Sequence, residues 1–254
     1  MVAFELAIQD TGGIAVAARL GVDRVELCSA LALGGVTPSQ ALIEAAVGHP
    51  GMPPVHVLIR PRAGGFDYPA DEAALMVREV RHAVAAGAAG VVVGGLRDGR
   101  VDTALIARTV EAAGGAAVTF HRAFDGLADP VAGLDVLAGL GVCRILTAGG
   151  PGTVAAGLAG LAALVRAAAG RIEIMAGGGV RPELVAGLVG TGVAAVHASA
   201  KRIVPDPVAV ELGAAARAGA TGREGTDEQL AGLILDAVRA ARGLGSFAPA
   251  DRVV

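Results

Sequence analysis

The sequence predicts an α/β fold, a single (β/α)8 TIM barrel, and three observations predict it. Eight short β-like runs recur along the chain. Ala/Leu-rich helical stretches separate them, and many of these end on a glycine. Eight such units in 254 residues match the count and size of a closed barrel of parallel strands. A doubly wound open sheet is the alternative, and it generally has fewer units. No linker breaks the alternation, so residues 1–254 read as one domain. Its barrel core is expected at about 4–200, an irregular segment at about 200–225, and a last helix at about 227–243.

The runs, in order, are FELAI (4–8), RVELC (24–28), VHVLIR (55–60), GVVVG (90–94), AVTFH (117–121), CRILT (143–147), IEIMA (172–176) and AVHAS (195–199). Gly21, Gly87, Gly114 and Gly141 stand where helices should stop, because glycine readily takes the left-handed conformation of a helix end. Thr37–Pro38, Asp129–Pro130 and Arg181–Pro182 mark helix starts, where proline's fixed φ suits the first turn. Thr226 with Gln229 three residues on reads as a capping box. Leu230, Leu233, Ile234 and Val238 then follow helical spacing. The irregular segment after the eighth run is placed to close part of the barrel mouth.

Composition excludes several functions. Hydrophobic residues make up 54% and aromatics 2%, so a large core must be built from Ala, Val, Leu and Ile. With 39 glycines, a single Gly-rich match carries little weight. Net charge is −3, and the basic residues are scattered, which argues against a nucleic-acid surface or a polybasic membrane patch. MVAFELAIQD lacks the basic start and apolar stretch of a signal peptide. No apolar run reaches membrane-span length, and two cysteines make no disulfide framework. A cytoplasmic protein that binds neither nucleic acid nor membrane is expected.

Chemistry is concentrated on one face of the strands. Alternate side chains of a strand share a face. In DRVELCSA (23–30) this groups Arg24, Glu26 and Cys28. The first strand offers Glu5, Ala7 and Gln9, the third His56 and Arg60, the fifth Thr119 and His121, and the eighth His197 and Ser199. The opposite faces are apolar and suit packing under helices, so the polar faces should point into the barrel. Buried charge is costly unless paired. One reading is a structural network, with Glu5 or Glu26 on Arg60. The other, which the set as a whole favours, is a ligand site at the C-terminal ends of the strands.

The loops extend that site. IRPRAGGF (59–66) carries Arg60 and Arg62, and HRAFD (121–125) carries Arg122 and Asp125. TAGGPGT (147–153) and MAGGGVRP (175–182) are Gly-rich and lead into helix starts, where backbone N–H groups attract anions. Tight turns also use glycine without any ligand. In an enzyme reading, Glu5, Glu26 and His121 are acid/base candidates. Arg60, Arg62, Arg122, Asp125, Gly177, Gly178, Gly179, His197 and Ser199 would hold a small anionic metabolite, phosphorylated in one form. Hard-metal binding by Glu5, Glu26 and His121 is a variant without tight ligand spacing.

DRVELCSALALGGVTPS, IRPRAGGF, TFHRAFD, ILTAGG and MAGGGV, in this order, resemble the signatures of the copper homeostasis protein CutC family, over about residues 4–202. The resemblance implies a TIM barrel, a cytoplasmic setting, copper(I) handling, and a homo-oligomer, dimer or tetramer. It carries the second-strand cysteine of that family onto Cys28. The family's first-strand cysteine position is Ala7 here. Cu(I) prefers soft ligands such as thiolate, so Cys28 alone is half a site, with His197 as the candidate second ligand. Cys143 belongs at the opposite mouth of the barrel.

Overall fold

The computed structural model describes residues 1–205 and 222–244. Eight parallel strands follow one another around a closed barrel, and the eighth pairs with the first. They are β1 (Ala3–Ile8), β2 (Arg24–Leu27), β3 (Val55–Leu58), β4 (Gly90–Val93), β5 (Ala117–Phe120), β6 (Arg144–Thr147), β7 (Glu173–Gly177) and β8 (Ala195–Ala198). Each is followed by a helix: α1 (Thr11–Leu20), α2 (Gln40–Val47), α3 (Ala70–Ala85), α4 (Thr103–Ala113), α5 (Pro130–Gly139), α6 (Leu158–Ala168), α7 (Val185–Gly190) and α8 (Glu228–Leu244). Among the described residues, no helix is long and apolar enough to cross a membrane.

Local chemistry explains the helix ends. Asp10, Ser39, Asp102 and Asp129 each accept a backbone N–H of the first turn that would otherwise lack a partner. Gly21 and Gly114 end α1 and α4 in the left-handed conformation. Arg181–Pro182 opens a short 3-10 turn, and α7 follows at Val185. The cap of α8 differs from the expected Thr226. Asp227, one residue later, accepts the N–H of Leu230 at 3.0 Å. Thr226 is instead the last residue of a strand.

That strand corrects the expected irregular segment. Lys201–Pro205 and Gly222–Thr226 pair as an antiparallel ribbon after β8. The middle of the segment, 206–221, lies outside the described residues.

The outward faces of the strands carry Phe4, Leu6, Ile8, Val25, Leu27, Val57 and Ile59, all buried in the layer between sheet and helices. The inward faces therefore hold the polar residues. Barrel register decides which of them meet: Glu5 stands beside His197 on one side and Arg24 on the other.

Candidate functional site

Glu5 is the centre of the polar wall. It is fully buried on β1, and it is paired on both sides. The Arg24 guanidinium donates to Oε2, and the His197 ring donates from Nδ1 to Oε1 at 2.7 Å. Burial works against charge on Glu5. His197 and Arg24 outweigh it and hold the carboxyl well below the usual carboxylate range. The expected partner, Arg60, is elsewhere. Its Nη1 donates to the carbonyls of Leu33 and Gly35, and its Nη2 to that of Gly64. Arg60 thus knits two loops together and leaves both glutamates to other partners. A second ion pair, Arg144 with Glu173 at 2.6 Å, sits at the strand starts, where Arg144 also donates to Thr119.

Glu26 lies next to Glu5 and His197, on the neighbouring strand β2. Its Oε2 is 3.8 Å from His197 Nε2. Burial raises the Glu26 carboxyl to about 7, against the pull of His197. Burial also disfavours the charged His197 ring, but Glu26 and Glu5 outweigh it and raise its pKa. Both groups are therefore shifted upward, and they face each other at 3.8 Å. Oxygens of Glu5 and Glu26 and a nitrogen of His197 all fall within 4.8 Å of one another, the donor cluster found among the described residues. Arg24 already neutralises Glu5 in that cluster.

Glu26 and His197 open onto a cavity of about 850 Å³ at the C-terminal mouth of the barrel. Arg60, His121, Arg122, Gly178, Gly179 and Ser199 line it too. His121 is buried, and its Nδ1 accepts the N–H of Ala123 at 3.1 Å. Burial, helped by the Arg60 charge, lowers its pKa to about 3, so the ring is neutral. Arg122 is held by Asp125 at 2.7 Å and donates to the carbonyl of Gly152 at 2.8 Å. Asp125 is fixed in turn by the hydroxyl of Thr147 and the N–H of Ala148. Gly178 has φ +116°, and a side chain there would meet the Arg122 guanidinium at 2.8 Å. The glycine thus lets the β7 loop and Arg122 share one edge of the cavity.

Other expected residues stand apart from the cavity. Arg62 turns away, bonded to Glu72 and to carbonyls of its own loop, with its guanidinium over Tyr68. Asp125 acts through Arg122. Gly177 packs under Leu146 and His197. Cys28 is fully buried in an apolar cluster with Leu58, Val92 and Leu31, and its thiol faces the Ile8 carbonyl at 3.5 Å. Burial, with the Glu26 charge adding to it, pushes that thiol well above its ordinary pKa. Cys143 is half-buried, and its thiol donates to the Val118 carbonyl at the other end of the barrel.

Sequence reasoning missed Arg24 as the partner of Glu5, and Arg181 and Lys201 as cavity residues. Arg24 was visible on the inward face of DRVELCSA, but the register that sets it beside Glu5 is printed in no single strand. Arg181 lies in the MAGGGVRP motif, and Lys201 only reaches the cavity because the ribbon starts there.

Comparison with known proteins adds four findings. A family model described as the CutC family matches residues 2–202. The family protein CutC of Agrobacterium fabrum is 42% identical over 229 residues, 88% of this chain and 89% of that protein. A crystal structure described as the putative copper homeostasis protein CutC from Streptococcus agalactiae is 34% identical with a TM-score of 0.75, covering 78% of this chain and 99% of that one. The 3-hexulose-6-phosphate synthase of Salmonella typhimurium is 17% identical with a TM-score of 0.58, covering 94% and 100%, a likeness of fold alone.

Proposed function

Since this chain belongs to the CutC family, we propose that it serves copper homeostasis, the role in the description of the Streptococcus agalactiae protein. The same reading carries a cytoplasmic setting and a homo-oligomer. The donor set does not fit a Cu(I) centre. Cu(I) favours thiolate, whereas the Cys28 thiol is buried among aliphatic side chains and resists ionisation. The resemblance to the family puts its first-strand cysteine at the position that is Ala7 here. The chain's contribution is therefore assigned to the barrel-mouth cavity.

In this reading the cavity binds a small anionic molecule and moves a proton on it. The observation that carries it is the pairing across the cavity floor: Glu26 and His197 at 3.8 Å, with Glu5 behind His197. By accepting Nδ1–H, Glu5 fixes the ring and presents Nε2 towards Glu26. A buried carboxyl raised to about 7 exchanges its proton readily at neutral pH. Arg122 and the N–H groups of Gly178 and Gly179 supply the anion end.

Calorimetric titration with inorganic phosphate tests the anion end. Wild type should bind, and Arg122→Gln should weaken binding about tenfold or more, as for loss of a charged hydrogen bond. Equal affinities would remove Arg122 from the site. An anaerobic Cu(I) competition titration on wild type and Cys28→Ser tests the copper assignment. Weak binding unaffected by the substitution is expected. Tight one-to-one binding lost in Cys28→Ser would restore a thiolate centre.

A further inference from the structure

We infer that Arg60 Nε and His121 Nε2 form a two-donor cradle for one carbonyl or carboxylate oxygen of the ligand, so that the cavity takes a small carbonyl compound such as an oxo acid. The inference rests on the reading of the cavity as an anion-binding proton-transfer site, and names its substrate class.

Two buried nitrogens carry it. Among the described residues, Arg60 Nε and His121 Nε2 are buried polar atoms without a hydrogen-bond partner, and both side chains line the same cavity. Each is 6% exposed. Phe66 packs against both, its ring centre 4.9 Å from that of His121 and 5.4 Å from the Arg60 guanidinium carbon. Their roles as donors are fixed by the contacts they do make. Nδ1 of His121 accepts the Ala123 N–H, which forces the remaining ring proton onto Nε2. Arg60 spends both Nη1 hydrogens and one on Nη2 on loop carbonyls, which leaves Nε–H and a single Nη2–H, and Nε is the buried one without an acceptor. A buried donor without an acceptor costs about 1–3 kcal/mol. Two in one cavity point to an oxygen that arrives with the ligand.

The ring is held tightly in place. A side chain at Gly94, just past β4, would approach His121 within 2.2 Å, so only glycine there leaves room for the ring. A neutral imidazole N–H in a water-poor site polarises a carbonyl without giving up its own proton. Glu26, which lines the same cavity, supplies the base. The C–H bond next to the carbonyl breaks, and its proton goes to the Glu26 carboxylate. The electron pair forms C=C, and the carbonyl oxygen becomes an enolate oxygen held by the two N–H groups. Return of the proton reverses these changes.

Oxalate, a planar dianion shaped like the enolate of an oxo acid, is the probe, with nitrogen-15 NMR of the histidine rings as the readout. Wild-type His121 should show the Nε2–H form, and oxalate should move that proton downfield. His121→Phe should weaken oxalate about tenfold or more and change phosphate affinity less than about twofold, since phosphate is assigned to Arg122. The spectra need no variant, so the test survives if His121→Phe does not fold. An Nδ1–H ring, or an Nε2–H unmoved by bound oxalate, would overturn the cradle. Phosphate binding without oxalate binding would overturn it too, yet leave the anion-site reading standing. Binding of neither would remove both.

Discussion

Glu26 and Cys28 sit two residues apart on the same inward face of one strand run, and they end in different media. Glu26 faces His197, Glu5 and the open cavity. Cys28 is roofed by its own loop. Ser29 and Val36 bridge to each other, and Gly35, at φ +84°, lies against Cys28 and Leu58. One wall of the barrel, from β8 through β1 to β2, is built of charges that neutralise one another. The next, from the end of β2 to β4, is aliphatic and dry. The difference teaches that an inward-facing residue is not yet a site residue. What lies across the barrel decides whether its proton can move.

The largest test removes a partner from the charged wall. Arg24→Met should destabilise the fold by about 3–5 kcal/mol at neutral pH, because it leaves the buried Glu5 half-compensated. Guanidinium denaturation measures it. The same change in a Glu5→Gln background should lose far less. Equal losses in both backgrounds would break the picture of a mutually neutralising wall.

A smaller effect comes from Glu26. Its folded pKa is about 7, raised from 4.5. Between those values the folded chain keeps a proton that the unfolded chain releases, so stability falls as pH rises from about 4.5 to 7. Glu26→Gln lacks that loss. It should gain roughly 1–3 kcal/mol over wild type at pH 8 and nothing at pH 4, by urea denaturation at both. A constant difference across that range would mean that Glu26 is ionised in the folded protein, and the two walls would differ less than drawn.

The smallest effect belongs to the dry wall. Cys28→Ala should cost only about 1 kcal/mol, the loss of one small buried group. In the native protein, a thiol reagent should leave Cys28 unmodified until denaturant is added. Rapid native labelling of Cys28 would open the dry wall to solvent and sharpen the case for a metal.

Much of this was legible in the sequence. All eight strands follow from alternation and turn residues. The inward placement of Glu5, Glu26, His121 and His197 follows from period two alone. Pairing was not legible, because it depends on stagger between strands. Glu5 is level with Arg24 rather than Arg60. Arg62 stands two residues after Arg60 in the same motif, but the chain has left the strand at Leu58 and the loop turns Arg62 onto Glu72. The ribbon was hidden because KRIVP and GREGT show neither alternation nor a tight turn between them. The α8 cap missed by one residue, since Thr226 and Asp227 are both good capping types.

The hydrogen bond between His197 and Glu5 joins residues 192 apart in the chain. The one between Arg24 and Glu5 spans only 19. Contacts between distant parts of a chain form slowly, and nearby ones form early. During synthesis, then, Glu5 can meet Arg24 long before β8 leaves the ribosome. An unfinished barrel holds a neutralised carboxylate but lacks the His197 ring beside it. The closing strand that completes the fold is also the one that completes the proposed proton-transfer pair.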